Sequence, residues 1–248
     1  MAHTHDLIVI GNGSAGDNIA RTLGRQGQRV AVIERAHLGG ECLNDGCVPS
    51  KALIDLSKRA ANEDLSWDEV VARIHAIQLL VRGTDPNGGF AADGIDLVWG
   101  DARFRSPTEV EADGRLLSAP NVVIATGTGP GLPPIPGLTE ARPQTNRTIF
   151  TLPRFPSRLA VLGGGPIGLE LGQAFSRLGA EVTIFEALER IAATEDAEVS
   201  LELTKLFERE GIRVETGASI ERVDRAERGR LTVATARGRF EFDDILVA

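Results

Sequence analysis

Residues 6–16 read Asp6-Leu-Ile-Val-Ile-Gly-Asn-Gly-Ser-Ala-Gly16, and residues 159–168 read Leu159-Ala-Val-Leu-Gly-Gly-Gly-Pro-Ile-Gly168. Each is a short apolar strand running into Gly-x-Gly-x-x-Gly. The two copies stay in register. Gly11, Gly13, Gly16, Gly27 and Glu34 recur 152 residues on as Gly163, Gly165, Gly168, Gly179 and Glu186. Between the glycines and each acid lies a helical pattern: Ile19, Ala20 and Leu23 in one copy, Leu169, Leu171, Ala174, Phe175 and Leu178 in the other. Each pattern gives way to a strand, at 29–33 and at 181–185. This is βαβ grammar written twice, and it predicts an α/β protein.

The glycine spacing carries a specific chemistry. The first glycine permits a tight turn, the second lets backbone approach a pyrophosphate, and the third lets helix and strand pack closely. Phosphates then sit at the helix N-terminus, where N–H groups and the macrodipole favour negative charge. A single such motif is also compatible with a purely structural turn. Two copies, each followed by strand and acid, predict two dinucleotide sites. The first draws on Gly11, Gly13, Ser14, Ala15, Gly16, Glu34 and Arg35, the second on Gly163, Gly165, Pro166, Ile167, Gly168 and Glu186. Glu186 can accept from ribose hydroxyls and repels a 2′-phosphate. Ala187, Leu188 and Glu189 supply no cation, which leaves Arg190 as the nearby candidate for holding one. NAD is therefore expected over NADP at the second site.

Composition narrows the class. The chain has 248 residues, 27 basic and 35 acidic side chains and a net charge of −8, a balance that argues against nucleic acid or an anionic membrane as partner. No apolar stretch approaches the roughly 20 residues needed to span a bilayer. The N-terminus lacks the cationic start of a signal peptide, so a cytoplasmic location is expected. His3, His5, His37 and His75 show no ligand spacing, and no metal site is expected.

Trp67, Val70, Val71, Ile74, Ile77 and Val81 recur at helical spacing, and residues 83–94 are turn-rich. Strands are expected at 95–99, 108–112, 115–118 and 121–125, the middle two flanking a hairpin signal at Asp113-Gly114. Residues 130–156 are too rich in proline for a packed element and read as a linker. A helix is expected at 196–210, then strands at 213–216, 231–236, 239–242 and 245–248.

The only two cysteines lie in Gly39-Gly-Glu-Cys-Leu-Asn-Asp-Gly-Cys-Val-Pro-Ser-Lys51, directly after the first βαβ unit. So few cysteines exclude a secreted disulfide scaffold. Pro49 fits the first turn of a helix and places Cys47 near its N-terminus, where the dipole stabilises a thiolate; Lys51 adds positive charge. Two small buried hydrophobes, or half a zinc site, are the alternatives; a redox pair is the expectation.

Residues 39–52 resemble the active-site segment of the FAD-dependent pyridine nucleotide–disulfide oxidoreductases, closest to the dihydrolipoamide dehydrogenase and mercuric reductase branches through Val48-Pro-Ser-Lys51. The resemblance extends over Gly100-Asp-Ala-Arg-Phe104, Ile124-Ala-Thr-Gly127 and residues 163–170. It implies two nested Rossmann-like, three-layer FAD/NAD(P)-binding modules. Residues 1–150 would be the first, incomplete segment of an FAD-binding domain and 151–248 an NAD-binding domain truncated at its C-terminal end. FAD would be held by the first glycine motif, Glu34, Gly40, Glu41 and Cys42, with Ala102 at the adenine end and Thr126-Gly127 near the cofactor. Cys47 would be the thiol beside the flavin and Cys42 the interchange thiol. Lys51 would sit by the flavin, paired with Glu170. Glu41 stands where many members have threonine, and Pro166 where glutathione reductase has a tyrosine.

The implied function is a dihydrolipoamide dehydrogenase-like, NAD-linked flavoprotein acting on a lipoyl or small-molecule dithiol or disulfide. Mercuric reductase-like or quinone/transhydrogenase-like activity, or a non-catalytic cofactor-binding fragment, are the alternatives. The resembling family continues past the position of Ala248 with a further Thr-Gly and an interface domain. The expectation is therefore the N-terminal part of a longer, homodimeric enzyme.

Overall fold

The computed structural model describes residues 3–85, 87–225 and 229–248. Pro86, in the expected turn-rich stretch, lies outside the described residues. The chain divides into two compact units, residues 1–48 with 76–129 and residues 49–75 with 130–248.

In the first unit β1 (Leu7–Ile10) runs into α1 (Ser14–Gly24) and β2 (Val30–Glu34). The short α2 (Gly40–Asn44) comes next, and α3 (Cys47–Arg59) and α4 (Trp67–Arg82) continue the chain. β3 (Ile95–Trp99), β4 (Arg103–Ser106), β5 (Glu109–Ala112), β6 (Arg115–Ser118) and β7 (Asn121–Ile124) complete the unit. A parallel sheet has the order β3-β2-β1-β7, and β4-β5-β6 form an antiparallel sheet. Alternate strand residues serve opposite layers. Leu7, Val9, Val30 and Val32 pack with Ala20 and Phe90, while Ile8, Ile10, Ala31 and Ile33 pack with Val110, Ala112 and Leu117 of the antiparallel sheet. Burial on both faces explains why β1 and β2 read as unbroken apolar runs.

The second unit repeats this plan. A 3₁₀ turn (Ile149–Thr151) precedes β8 (Arg158–Leu162), α5 (Pro166–Arg177), β9 (Glu181–Phe185) and α6 (Ala197–Arg209). Beyond them lie β10 (Arg213–Glu215), β11 (Ile220–Arg225), β12 (Leu231–Thr235), β13 (Gly238–Phe242) and β14 (Asp244–Val247). The parallel order is β10-β9-β8-β14, and β11-β12-β13 form the antiparallel layer. Leu159, Val161, Val182 and Ile184 pack against Leu171 and Phe175 of α5 and against Leu53, Leu56, Val70 and Ile74. Ala160, Leu162, Phe185, Ile245 and Val247 pack against Val223, Leu231, Val233 and Phe242. Both units are therefore three-layer α/β modules of Rossmann type.

Two expectations change. Residues 130–156 are not a linker: Leu138, Ala141, Ile149, Phe150 and Leu152 are buried in the second unit's cores. Gln144 lies along β14, its N–H donating to Ile245 O at 2.7 Å and its carbonyl accepting from Val247 N–H at 2.8 Å. Prolines lack a donor but keep their carbonyls, and Pro136 O accepts from Val223 N–H at 2.9 Å. Residues 130–156 pack with the second βαβ unit, and the two compact units divide at 129/130. Strands β4 and β11 went unread because their sequences, RFRS and IERVDR, are charged and mostly exposed. The helical spacing over 67–81 is borne out by α4, which buries Val70 and Ile74 and leaves Ile77 and Val81 36% and 57% exposed.

Candidate functional site

The three glycines of each motif occupy distinct geometries. Gly11 (φ +97°) and Gly163 (φ +117°) turn out of β1 and β8 in the left-handed region. A Cβ on either would meet a backbone oxygen, Ala125 O at 2.4 Å or Ala248 O at 2.1 Å. A Cβ at Gly16 or Gly168 would sit 2.0 Å from the carbonyl oxygen of the motif's first glycine, so only glycine lets helix and turn approach this closely. The middle glycines differ. Nothing lies within 4 Å of a Cβ at Gly165, and only Gly40 Cα, at 4.0 Å, faces one at Gly13. That open space is where a phosphate can approach backbone. Gly13 and Gly165 are also the N-caps of α1 and α5, and no side chain caps either helix. The leading N–H groups, at Ser14, Ala15 and Gly16 in one loop and at Ile167 and Gly168 in the other, lack intrahelical partners and suit an anion.

The acids serve both loops identically. Glu34 Oε2 accepts from Asn12 N–H at 2.8 Å and its Oε1 from Ala36 N–H at 2.8 Å. At the same offset, Glu186 accepts from Gly164 N–H at 2.7 Å and from Leu188 N–H at 2.8 Å. Each carboxylate thus ties its glycine loop to the turn after the second strand. Beside Glu186 lies a cavity of about 660 Å³, lined by Leu132, Pro133, Gly163, Phe185, Ser219 and Ala248 among others. Arg190 is not turned to this cavity's service. Its guanidinium donates to Glu195 O at 2.6 Å, Ala193 O at 2.8 Å and Ser200 Oγ at 2.8 Å.

Cys42 lies on α2 and Cys47 begins α3, with Pro49 in that helix's first turn. Both cysteines are free thiols, Cys42 half-buried and Cys47 exposed. Interaction with the neighbouring Cys47, together with burial, pushes the Cys42 thiol up from its ordinary range. Gln78 Nε2 caps α2, donating to Asn44 O at 2.7 Å and Leu43 O at 3.2 Å, and Arg82 donates to Asn44 Oδ1 at 2.7 Å. In the second unit, Lys51 Nζ donates to both oxygens of Glu170, at 2.6 and 2.8 Å. The pair is 61% and 41% exposed. At that exposure an ion pair contributes about 0–1 kcal/mol, so stability alone does not account for it.

Other expected site residues are dispersed around these groups. Arg35 and Glu41 are exposed, Gly40 has φ +55°, and Ala102 packs against the β1/β2 core. Thr126 and Gly127 are exposed just beyond β7. Pro166 opens α5, and Ile167 is 46% exposed. Among the described residues, no group of three or more His, Cys, Asp or Glu could hold a metal ion. Sequence reasoning passed over Asn12, which is 1% exposed inside the first glycine loop. It was hidden because the second position of the motif is formally any residue.

The sequence pattern of the family described as pyridine nucleotide-disulphide oxidoreductase matches residues 5–248. The chain belongs to this family. A mercuric reductase from Lysinibacillus sphaericus is 36% identical over 214 residues, covering 78% of this chain and 38% of the relative. A dihydrolipoyl dehydrogenase from Thermus scotoductus is 35% identical over 210 residues, covering 79% of this chain and 45% of the relative. Among solved structures, the HOCl-induced flavoprotein disulfide reductase RclA from Escherichia coli superposes with a TM-score of 0.89 at 29% identity. That match covers 98% of this chain and 56% of the RclA chain. The chain spans about half or less of the length of these relatives. Family membership implies FAD and a nicotinamide dinucleotide as cofactors, and both glycine cradles fit a dinucleotide pyrophosphate. No described helix is long and apolar enough to cross a membrane.

Proposed function

We propose that this chain carries the cofactor-binding and dithiol portion of an NAD-linked flavoprotein disulfide oxidoreductase of dihydrolipoamide dehydrogenase type. The observation that carries the reading is the pair of free, interacting thiols Cys42 and Cys47, on α2 and at the start of α3 after the first glycine-loop unit. Residues 1–150 hold FAD and residues 151–248 hold NAD, with the boundary inside the packed segment 130–156. FAD, when bound, supplies a relay for two electrons between nicotinamide and the dithiol.

The protein's own groups do the rest. Gly13 and Gly165 admit the phosphates, the uncapped starts of α1 and α5 neutralise them, and Glu34 and Glu186 accept from ribose hydroxyls. Glu186 repels a 2′-phosphate and Arg190 is spent on its own loop, which supports NAD over NADP. Cys42, as thiolate, attacks a substrate disulfide, forming a mixed disulfide and expelling one thiolate. Cys47 then attacks the Cys42 sulfur, expelling the second thiolate and closing the Cys42–Cys47 disulfide. The substrate has gained two electrons and takes up two protons, and the Cys42–Cys47 disulfide would return to the dithiol with a hydride equivalent from NADH and one proton from solvent. Run backwards, the same steps oxidise a dihydrolipoyl dithiol. Lys51 and Glu170 form the charge pair that flanks the nicotinamide exchange. The protein acts as a homodimer in the cytoplasm.

A second reading has support of its own. The mercuric reductase relative is as similar to this chain as the dihydrolipoyl dehydrogenase, and two adjacent thiols also suit a thiophilic divalent cation. The two readings separate on the purified chain reconstituted with FAD. NADH is expected to generate a long-wavelength thiolate–flavin band, and lipoamide to discharge it faster than Hg(II). Cys42→Ser should abolish lipoamide turnover. A colourless protein that retains no flavin, or turnover indifferent to Cys42→Ser, would overturn the proposal. Discharge by Hg(II) alone would favour the second reading.

A further inference from the structure

Asn12 occupies the variable position between the first two glycines of the first motif and is 1% exposed. It joins three segments. Its backbone N–H donates to Glu34, its side-chain Nδ2 to Asp17 Oδ1 at 3.1 Å, and its Oδ1 accepts from Gly39 N–H at 3.0 Å. The amide orientation is over-determined: a carboxylate only accepts and a backbone N–H only donates. Asp17 is itself held by Arg21, which also binds Asp93 at 2.8 Å and lies 4.5 Å over the Phe90 ring.

Gly39 (φ +84°) is the residue from which α2 starts, and α2 carries Cys42. Next to it, Gly40 is pressed onto the glycine loop: a Cβ there would meet Gly13 Cα at 2.5 Å. At the other end α2 is capped by Gln78. In the second copy the corresponding residue is Gly164, which has no side chain, and the tie there is a backbone bond, Ala192 N–H to Gly164 O at 2.8 Å. The first copy therefore uses a side chain where the second uses main chain, at the one loop that bears a thiol.

The geometry points to Asn12 as a positioning residue that fixes the start of α2, and with it the Cys42 thiol against Cys47, through its bond to Gly39. This deepens the redox assignment of the cysteine pair and rests on it. Asn12 touches neither sulfur. It acts by holding the turn from which Cys42 is presented, while Asp17 holds the amide.

The test needs no bound cofactor. In the reduced full chain, mass spectrometry follows iodoacetamide alkylation of Cys42 against pH, alongside Asn12→Asp, Asp17→Asn and the double exchange. Asn12→Asp sets two carboxylates face to face and should speed Cys42 alkylation by roughly tenfold as the loop opens. It should also move the titration of Cys42 down toward the ordinary thiol range. Asp17→Asn keeps an acceptor for the Asn12 amide and should stay within about twofold of the unmutated chain. The double exchange restores a donor–acceptor pair and should return both readouts to that level. A merely structural Asn12 would lower the unfolding temperature of Asn12→Asp without moving the pH profile, and that result overturns the proposal, as does a double exchange no better than Asn12→Asp. Should Asn12→Asp not fold, amide exchange at Gly39 in the unmutated chain decides. Protection of about tenfold or more is expected, and an unprotected Gly39 amide overturns the assignment. Loss of NADH-linked turnover with these results intact would instead count against the redox role of the pair.

Discussion

At the residue scale, the three glycines of each motif have separable jobs, and single methyl groups tell them apart. Gly165→Ala adds a Cβ with nothing within 4 Å, in an extended backbone conformation (φ −80°, ψ −179°) that alanine adopts. Its unfolding free energy should stay within about 0.5 kcal/mol of the unmutated chain, as for a substitution in open space. NADH affinity should fall at least roughly tenfold, because the methyl occupies phosphate space. Gly168→Ala forces a Cβ to 2.0 Å from Gly163 O and should cost about 3 kcal/mol or more by overpacking. Urea unfolding and NADH titration of the two variants check both statements, and equal stability losses would contradict the division of labour. Arg190 shows the complementary lesson. Arg190→Ala removes hydrogen bonds to Ala193 O, Glu195 O and Ser200 Oγ of α6 and should destabilise the chain by about 1–3 kcal/mol. The ratio of NADH to NADPH affinity should move less than about twofold, since this charge is held by carbonyls of its own loop. A swing toward NADH on its removal would mean that Arg190 does reach a phosphate.

Among elements, β14 illustrates how packing tunes a charge. Asp244 opens this strand, accepting from Ile245 N–H at 2.9 Å and from Gln144 Nε2 at 3.2 and 3.3 Å. Burial pushes its carboxyl up from the ordinary 3.8, and these hydrogen bonds only partly oppose the shift. For an acid raised in the folded state, the stabilising contribution is present below the ordinary value and is lost as pH rises through the raised one. Asp244→Asn keeps an acceptor and removes the charge. Its melting temperature should therefore exceed that of the unmutated chain at pH 7, with the gap narrowing below about pH 4. A lower melting temperature at neutral pH would show that the hydrogen bonds outweigh burial. The same scale explains which elements were legible. β1, β2, β8 and β9 are buried on both faces and read as apolar runs, and α1 and α5 are announced by their glycine starts. β4 and β11 lie in the antiparallel layers with mostly charged, exposed residues, so no local periodicity marks them. Residues 130–156 looked unstructured because proline removes donors, yet their carbonyls and apolar side chains are used.

For the whole molecule, two units of one plan predict two independent dinucleotide sites on a chain of net charge −8. Calorimetry on the flavin-free chain should find one FAD and one NADH per chain. Gly13→Ala should remove the FAD site and Gly165→Ala the NADH site, each leaving the other's affinity within about twofold, as expected for separate sites. Loss of both ligands from either variant would mean that the sites are not separable.

Short-range pattern in the sequence carries the duplicated βαβ plan, the two glycine loops, the acids that follow them and the redox role expected of Cys42 and Cys47. Those properties depend on residue type at short spacing, which local chemistry makes legible. Only the tertiary structure decided that Glu34 and Glu186 also clamp their loops, that Arg190 is consumed by its neighbours, and that Asn12 reaches Gly39. A hydrogen bond between residues 27 apart, or a carbonyl that consumes a cation, depends on where folding brings backbone atoms, and no local pattern encodes that.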